Sequence, residues 1–236
     1  MVELTYLSPD EDMGTIVVAM DRILQVALDL TKLPEAVEIA TKIASHTSCR
    51  NIWLEVGTPL LKAWGLIAVK AVKNLSNCFV VVDTKTMDVP AIEGGMLLDA
   101  GGDAFTVLGV ADDDVVKEAV ETARARGKLV VADLISHPDP LKRAVELDRL
   151  GVDVVLYHVG ISVQRSRRVT VAQLLREIEG LRRNVSARIA VAGGIKPGDV
   201  KGLIASGADI VVVGGAITKA ENPVQVVERI LEEMNT

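Results

Sequence analysis

Residues 80–90 read VVVDTKTMDVP, a run of valines that leads directly into Asp83, Lys85 and Asp88. Side chains on a β-strand alternate between its two faces, so Asp83 and Lys85 are expected to share a face with Val81. If that face is buried, two opposite charges lie at the edge of a core. The alternative is a strand that runs out into solvent, where charged side chains are common. The rest of the sequence distinguishes a buried strand end from an exposed one.

Apolar, β-branched runs of this kind recur along the chain. They lie at 23–29, 51–57, 78–85, 103–109, 128–134, 153–159, 187–194 and 209–215. Amphipathic stretches follow them, several beginning at Pro or Asp and ending at Gly, as helices do. Residues 59–74 are predicted as one such helix, and the next begins near Pro90.

Eight strand–helix units in succession require a parallel sheet with right-handed crossovers. In a chain of 236 residues, eight such units favour an α/β fold that consists of a single (β/α)8 TIM barrel at residues 23–236. An open doubly wound sheet is the alternative, but no GxGxxG motif follows the first strand. Residues 1–22 form a short N-terminal extension, which could be an extra strand, a plug under the barrel or an arm that contacts a partner.

Composition excludes several classes of protein. The chain is 49% hydrophobic but only 3% aromatic, which indicates a core of aliphatic side chains. A net charge of −6 argues against nucleic-acid binding, and no apolar run is long enough to cross a membrane. The basic stretch QRSRR at 164–168 is either a solvated loop or an attractor of anions. Cys49 and Cys78 show no metal-ligand spacing, so we expect reduced thiols and a cytoplasmic protein.

Ionisable side chains stand at the end of five predicted strands. They are Asp29, Glu55, Asp83 with Lys85, Asp133 and His158. The carboxyl ends of barrel strands meet at one face, so these groups are expected to converge there. Alternatives stay open for each: helix caps for Asp29 and Asp133, an ion network around Lys85, or a structural histidine. Several crowded carboxylates would repel one another unless a cation compensated, and carboxylate oxygens suit Mg²⁺.

Glycine pairs end the last two predicted strands, Gly193 with Gly194 and Gly214 with Gly215. The loops after strands 7 and 8 of a barrel often bind phosphate, because glycine lets backbone N–H groups approach the anion. Tight turns alone would also explain the glycines.

With these residues assembled, the chain resembles the 3-hexulose-6-phosphate synthase branch of the orotidine-monophosphate-decarboxylase suprafamily, from about Leu24 to Glu233. The stretches that carry the resemblance are LQVALDL, LEVGTPLLKAWG, DTKTMD, DAFTVLGVADD, VAGGIKP and DIVVVGGAITKAENP. Asp83, Lys85 and Asp88 fill the suprafamily signature Asp-x-Lys-x-x-Asp.

The resemblance implies an aldehyde-lyase of carbohydrate metabolism that condenses formaldehyde with ribulose 5-phosphate, or runs the reverse cleavage, through an enediolate. It implies Mg²⁺ bound by Glu55 and Asp83, with His158 as the base at C1 and Lys85 as an electrostatic stabiliser.

By the same resemblance Asp133 orients Lys85, Asp29 binds substrate hydroxyls, and the backbones of the two glycine pairs hold the phosphate. Asp88 is expected to complete the neighbouring subunit's site in a homodimer with shared sites. Two other functions stay open. One is 3-keto-L-gulonate-6-phosphate decarboxylase, whose last strand typically ends in Gly-Arg. The other is a non-catalytic phosphosugar-binding barrel, suggested by the unusual segment VGISVQ after His158.

Overall fold

The computed structural model describes residues 22–160 and 171–236, and its strands close into a barrel. All eight strands are parallel, they follow one another in chain order, and β8 pairs with β1. This confirms the predicted (β/α)8 barrel. Most of the extension and the QRSRR stretch lie outside the described residues, so their roles stay predictions. No helix in the described ranges is long and apolar enough to cross a membrane.

The strands match the predicted runs to within about two residues. They are β1 (Ile23–Leu28), β2 (Ile52–Val56), β3 (Phe79–Thr86), β4 (Ala104–Leu108), β5 (Leu129–Asp133), β6 (Val154–His158), β7 (Arg188–Ala192) and β8 (Ile210–Val213). The described helices are α1 (Leu33–Thr47), α2 (Thr58–Trp64), α3 (Leu66–Ser76), α4 (Pro90–Asp99), α5 (Asp113–Arg124), α6 (Pro140–Leu150), α7 (Val171–Asn184), α8 (Val200–Ala205), α9 (Gly215–Thr218) and α10 (Pro223–Met234).

Each strand is buried on both faces. Leu24, Val26 and Leu28 of β1 pack outward against the helices, whereas Ala27 joins a separate cluster inside the barrel. Val81 belongs to that inner cluster as well. The face that Val81 shares with Asp83 is therefore core, and the alternative of a strand running out into solvent is wrong.

The single helix predicted at residues 59–74 is wrong. It is divided into α2 and α3 at Gly65, whose φ of +54° lies in the left-handed region. Glycine adopts this conformation without the steric cost that other residues incur. The apolar periodicity continues across Gly65, so it carried no sign of the break. The short α9 at the end of the last strand was not predicted either.

Three aspartates fasten the amino-terminal end of the barrel. Asp103, Asp153 and Asp209 come directly before β4, β6 and β8, and each accepts a hydrogen bond from a backbone N–H of the preceding strand. Asp103 also pairs with Lys73 and Lys128, both at 2.6 Å. Since catalytic groups of such barrels lie at the opposite end, this end serves stability.

The expectation of reduced thiols is wrong, because Cys49 and Cys78 form a disulfide. They lie in the loops that lead into β2 and β3. Those strands are neighbours in the barrel, so the loops meet and the two Cα atoms are 5.3 Å apart, within the range of a disulfide. A separation of 29 residues along the chain gave no hint of this proximity. One of the grounds for a cytoplasmic location is thereby lost, and the location stays a prediction.

Candidate active site

The ionisable groups at the strand ends meet at the carboxyl end of the barrel. The Lys85 Nζ lies 2.9 and 2.7 Å from the two carboxylate oxygens of Asp83, and 3.2 Å from Oδ2 of Asp133. Lys85 has a φ of +49°, and the pairing of β3 with β4 shifts register between Val82 and Thr86, the stretch that contains it. Its backbone N–H donates to Thr106 Oγ1 at 2.8 Å. The irregularity re-aims the strand end, as β-bulges near active sites commonly do.

Burial alone would lower the pKa of Lys85, but the negative charges of Asp83 and Asp133 and their hydrogen bonds outweigh it. The pKa therefore lies well above its ordinary value, and Lys85 is a fixed cation at the centre of the site.

Two threonines that the sequence analysis missed hold Asp83 in place. Thr58 Oγ1 donates to Oδ2 at 2.6 Å, and Thr106 Oγ1 donates to Oδ1 at 2.9 Å. With Lys85, each oxygen of Asp83 accepts two hydrogen bonds. Thr106 follows the inward-facing Ala104 by two residues, so strand alternation could have identified it. Thr58 carried no such signal, because it begins a helix.

Asp133 connects Lys85 to His158. Its side chain is fully buried, and its carboxylate accepts hydrogen bonds from His158 Nδ1 at 3.0 Å and from the backbone N–H of Ile135 at 2.9 Å. Burial raises the pKa of Asp133, but the hydrogen bond and charge of His158, with Lys85, lower it by more. The alternative of a helix cap is wrong for Asp133, because α6 is capped by Asp139. Asp133 is thus an anion that orients both Lys85 and His158.

Glu55 and Asp29 form the acidic side of the mouth. Glu55 is only 8% exposed, and burial, followed by repulsion from Asp83 and Asp29, raises its pKa to about 8. The amide of Gln25, another residue that the sequence analysis did not single out, donates to Glu55 Oε2 at 2.7 Å. Gln25 is an inward residue two positions before Ala27, so alternation also predicts its place.

Asp29 has a raised pKa as well, caused first by desolvation and then by Asp83. It does not cap α1, whose N-cap position is Lys32. A Cβ atom on Gly57 would lie 2.2 Å from Asp29 Oδ1, so only glycine fits beside this carboxylate. The glycine of the LEVGTP stretch therefore makes room for Asp29 at the mouth.

The acidic residues fit a bound Mg²⁺. Within residues 22–160 and 171–236 no group of three or more His, Cys, Asp or Glu side chains forms a cage for a metal. Mg²⁺, however, is usually held by one or two carboxylates together with substrate and water. Glu55 Oε1 accepts no hydrogen bond from the residues that the structure describes, and the repulsion of Glu55 by Asp83 and Asp29 is the kind that a divalent cation relieves. Glu55 thus offers one oxygen to an ion, whereas Asp83 would give up one of its four hydrogen bonds to join it.

The glycine pairs lie at the same end of the barrel. Gly193 and Gly194 have φ values of +127° and +65°, which favour glycine at both positions. A Cβ atom on Gly214 would lie 3.4 Å from Asp29 Oδ2, so the last strand ends beside the acidic residues. The backbone here is open to a ligand that also reaches Asp29.

Asp88 is the predicted site residue that the structure does not bring to the others. It is exposed, and its only hydrogen bond among the described residues is from the backbone N–H of Val89 at 2.8 Å. Exposed apolar side chains lie near it in the chain, on the same loop, on α4 and on the loop after β4: Met87, Val89, Ile92, Met96 and Val110. Ile92, at 67% exposure, is the most exposed large hydrophobic residue that the structure describes.

The family model of orotidine 5'-phosphate decarboxylase / HUMPS matches residues 22–230. A 3-hexulose-6-phosphate synthase of Staphylococcus aureus is 37% identical over 203 residues, which are 86% of this chain and 93% of that protein. The crystal structure of 3-hexulose-6-phosphate synthase from Salmonella typhimurium has a TM-score of 0.81 at 37% identity, with 90% of this chain and 98% of that chain covered. That of 3-keto-L-gulonate-6-phosphate decarboxylase from Vibrio cholerae has a TM-score of 0.77 at 26% identity, with 91% and 98% covered.

Proposed function

The chain belongs to the orotidine 5'-phosphate decarboxylase / HUMPS family, and from that premise we propose that it is a 3-hexulose-6-phosphate synthase. The reaction is the aldol condensation of formaldehyde with ribulose 5-phosphate, or its reversal. The observation that carries the proposal is the continuous chain of contacts from Asp83 through Lys85 and Asp133 to His158. Higher identity to the synthases than to the decarboxylase favours the aldol reaction over decarboxylation.

His158 acts as the base. Its Nδ1 faces the Asp133 carboxylate, so in a neutral ring that donates to Asp133 the basic nitrogen is Nε2, which has no partner among the described residues. The imidazole can then take a proton from C1 of the ketose, and Asp133 stabilises the imidazolium that results. The same histidine returns the proton in the reverse direction.

Lys85 stabilises the enediolate oxygens. Its ammonium is held from two sides by Asp83 and Asp133, so it does not have to reorganise as negative charge develops on the substrate. Glu55 and Asp83 would hold Mg²⁺, and the ion when bound would supply a Lewis acid for the developing oxyanion. Asp29 would accept hydrogen bonds from substrate hydroxyls, while the glycine pairs would hold the phosphate.

A homodimer with shared sites belongs to the same proposal. Asp88 is exposed and lies among the apolar residues Met87, Val89, Ile92 and Met96. Four exposed apolar side chains within ten residues of sequence favour an interface, and a second copy of the chain would bury them in a two-fold arrangement. Each Asp88 could then reach the mouth of the other subunit. A cytoplasmic location is proposed with it, to be tested by cell fractionation.

Steady-state assays with two substrates test the function. The protein with Mg²⁺ is expected to consume formaldehyde only when ribulose 5-phosphate is present, and excess EDTA should abolish the reaction until Mg²⁺ is restored. Release of carbon dioxide from 3-keto-L-gulonate 6-phosphate, with no consumption of formaldehyde, would identify a decarboxylase instead. Binding of ribulose 5-phosphate with neither reaction would indicate a non-catalytic barrel.

A further inference from the structure

We propose that Lys219 is the cation that binds the phosphate group of the substrate. The inference rests on the proposed function, because it needs a phosphorylated ligand at the ends of β7 and β8. From the sequence, only the backbone N–H groups of the glycine pairs are expected to bind the phosphate. A phosphate monoester carries close to two negative charges near neutral pH, and in proteins a lysine or arginine commonly accompanies such backbone donors.

The short helix α9 carries the Lys219 side chain back over the glycines. Helical side chains lean toward the amino terminus of the helix, so a residue covers the one four positions before it. Here the residue four positions earlier is Gly215, and a Cβ atom on Gly215 would lie 3.8 Å from Lys219 Cε and 3.9 Å from Nζ. The absence of a side chain at 215 leaves the ammonium beside bare backbone.

The glycines also connect Lys219 to the chemistry. Gly214 precedes Gly215 directly, and a Cβ atom on it would lie 3.4 Å from Asp29 Oδ2. Gly214 therefore lies beside Asp29 on the acidic side of the mouth, and Gly215 lies beside Lys219. A ligand with hydroxyl groups at one end and a phosphate at the other matches this distribution of charge.

The Lys219 ammonium is available for an anion. It forms no ion pair or side-chain hydrogen bond with any residue that the structure describes, although Glu221 lies two positions away in the same loop. Its backbone N–H donates to Gly215 O at 3.2 Å, which ends α9 and fixes the base of the side chain. Lys196 is the other lysine in the two loops that follow β7 and β8, at 193–199 and 214–222. Lys196 carries the same charge on the loop after β7, so it is a matched control.

The test compares Lys219→Met, Lys219→Arg and Lys196→Met with the wild-type chain, after thermal melts show that each is folded. Methionine keeps most of the apolar stem and removes the charge. Binding of inorganic phosphate is measured by ³¹P NMR titration, and KM and kcat for ribulose 5-phosphate are measured at low and high salt. Loss of a charged hydrogen bond is expected to weaken phosphate binding roughly 10-fold or more.

We expect Lys219→Met to lose phosphate affinity and to raise KM more than it lowers kcat, Lys219→Arg to recover most of the affinity, and Lys196→Met to stay within about twofold of wild type. Phosphate binding by Lys219→Met at the wild-type level would overturn the proposal. So would an equal loss in Lys196→Met, since it would indicate only the general charge of the surface. The NMR titration needs no turnover, so a chain that binds phosphate through Lys219 but does not condense formaldehyde would contradict the proposed function alone.

Discussion

The disulfide between Cys49 and Cys78 makes a measurable prediction about stability. It closes a loop across 29 positions of sequence and lies at the amino-terminal end of the barrel. In the chain-entropy model, a cross-link over a loop of this length stabilises the folded state by about 3.6 kcal/mol, because it restricts the unfolded chain. For a chain of this size, that corresponds to a rise of roughly 7 °C or more in Tm.

The perturbation is Cys49→Ala, which breaks the cross-link and leaves the buried Cys78 as a free thiol, a state that apolar surroundings tolerate. Equilibrium unfolding in urea should give the variant a free energy of unfolding lower by about 3–4 kcal/mol than oxidised wild type. Reductant should lower the stability of wild type to nearly that of the variant and leave the variant unchanged. Wild type unfolded without reductant should show no titratable thiol.

Activity is the internal control for this experiment, since the cross-link lies at the opposite end of the barrel from His158 and Lys85. Both redox forms of the wild-type chain should have the same kcat at 25 °C. If oxidised wild type, reduced wild type and Cys49→Ala unfolded at the same urea concentration, the cross-link would not constrain the unfolded chain, and the reasoning would be refuted.

Four further predictions concern the site and the base of the barrel. Glu55→Gln should abolish activity and weaken Mg²⁺ binding by calorimetry while the circular dichroism stays unchanged, since it removes one charge at nearly constant volume; normal turnover at limiting Mg²⁺ would contradict this. His158→Asn should be inactive yet bind ribulose 5-phosphate at near wild-type affinity, and loss of that binding would indicate a structural histidine. Lys85→Ala and Asp88→Ala should each be inactive alone. When the two variants are unfolded and refolded together, about a quarter of wild-type activity should return, because half of the dimers are mixed and each mixed dimer has one intact site. Mixed dimers without activity would place Asp88 in its own subunit's site. Burial raises the pKa of Asp103, but hydrogen bonds from two lysines lower it by more, so the carboxylate stabilises the fold above its unfolded pKa and this stability is lost as pH falls through the lower folded pKa. Asp103→Asn should therefore lower the free energy of unfolding by about 2 kcal/mol at pH 7 and by little at pH 2. An equal loss at both pH values, measured by urea unfolding, would be inconsistent with this.

The barrel could be predicted because its signal is repeated. Eight apolar runs with helical stretches after them leave few topologies, and parity along each strand placed Asp83 with Val81 and His158 with Leu156 on the inner face. Gly65 shows the limit of this reasoning. Its left-handed φ interrupts a helix whose apolar pattern runs on unbroken, so periodicity alone could not reveal the break.

The site could be predicted in part for the same reason. Charges at strand ends stand out against an apolar background, which is how Glu55 and Asp133 were identified. Gln25, Thr58 and Thr106 are uncharged and were passed over, although they orient Glu55 and Asp83. The Cys49–Cys78 cross-link depends on which loops are neighbours at the base of the barrel, and that proximity exists only once the chain is folded.

The most direct test of the account is to follow ¹³C-labelled formaldehyde by NMR in the presence of the protein, Mg²⁺ and ribulose 5-phosphate. We expect the label to move into the new hydroxymethyl carbon of a hexulose 6-phosphate, and we expect no transfer in His158→Asn or when ribulose 5-phosphate is omitted. A label that remains as free formaldehyde hydrate, while the wild-type protein binds ribulose 5-phosphate in the same tube, would contradict it.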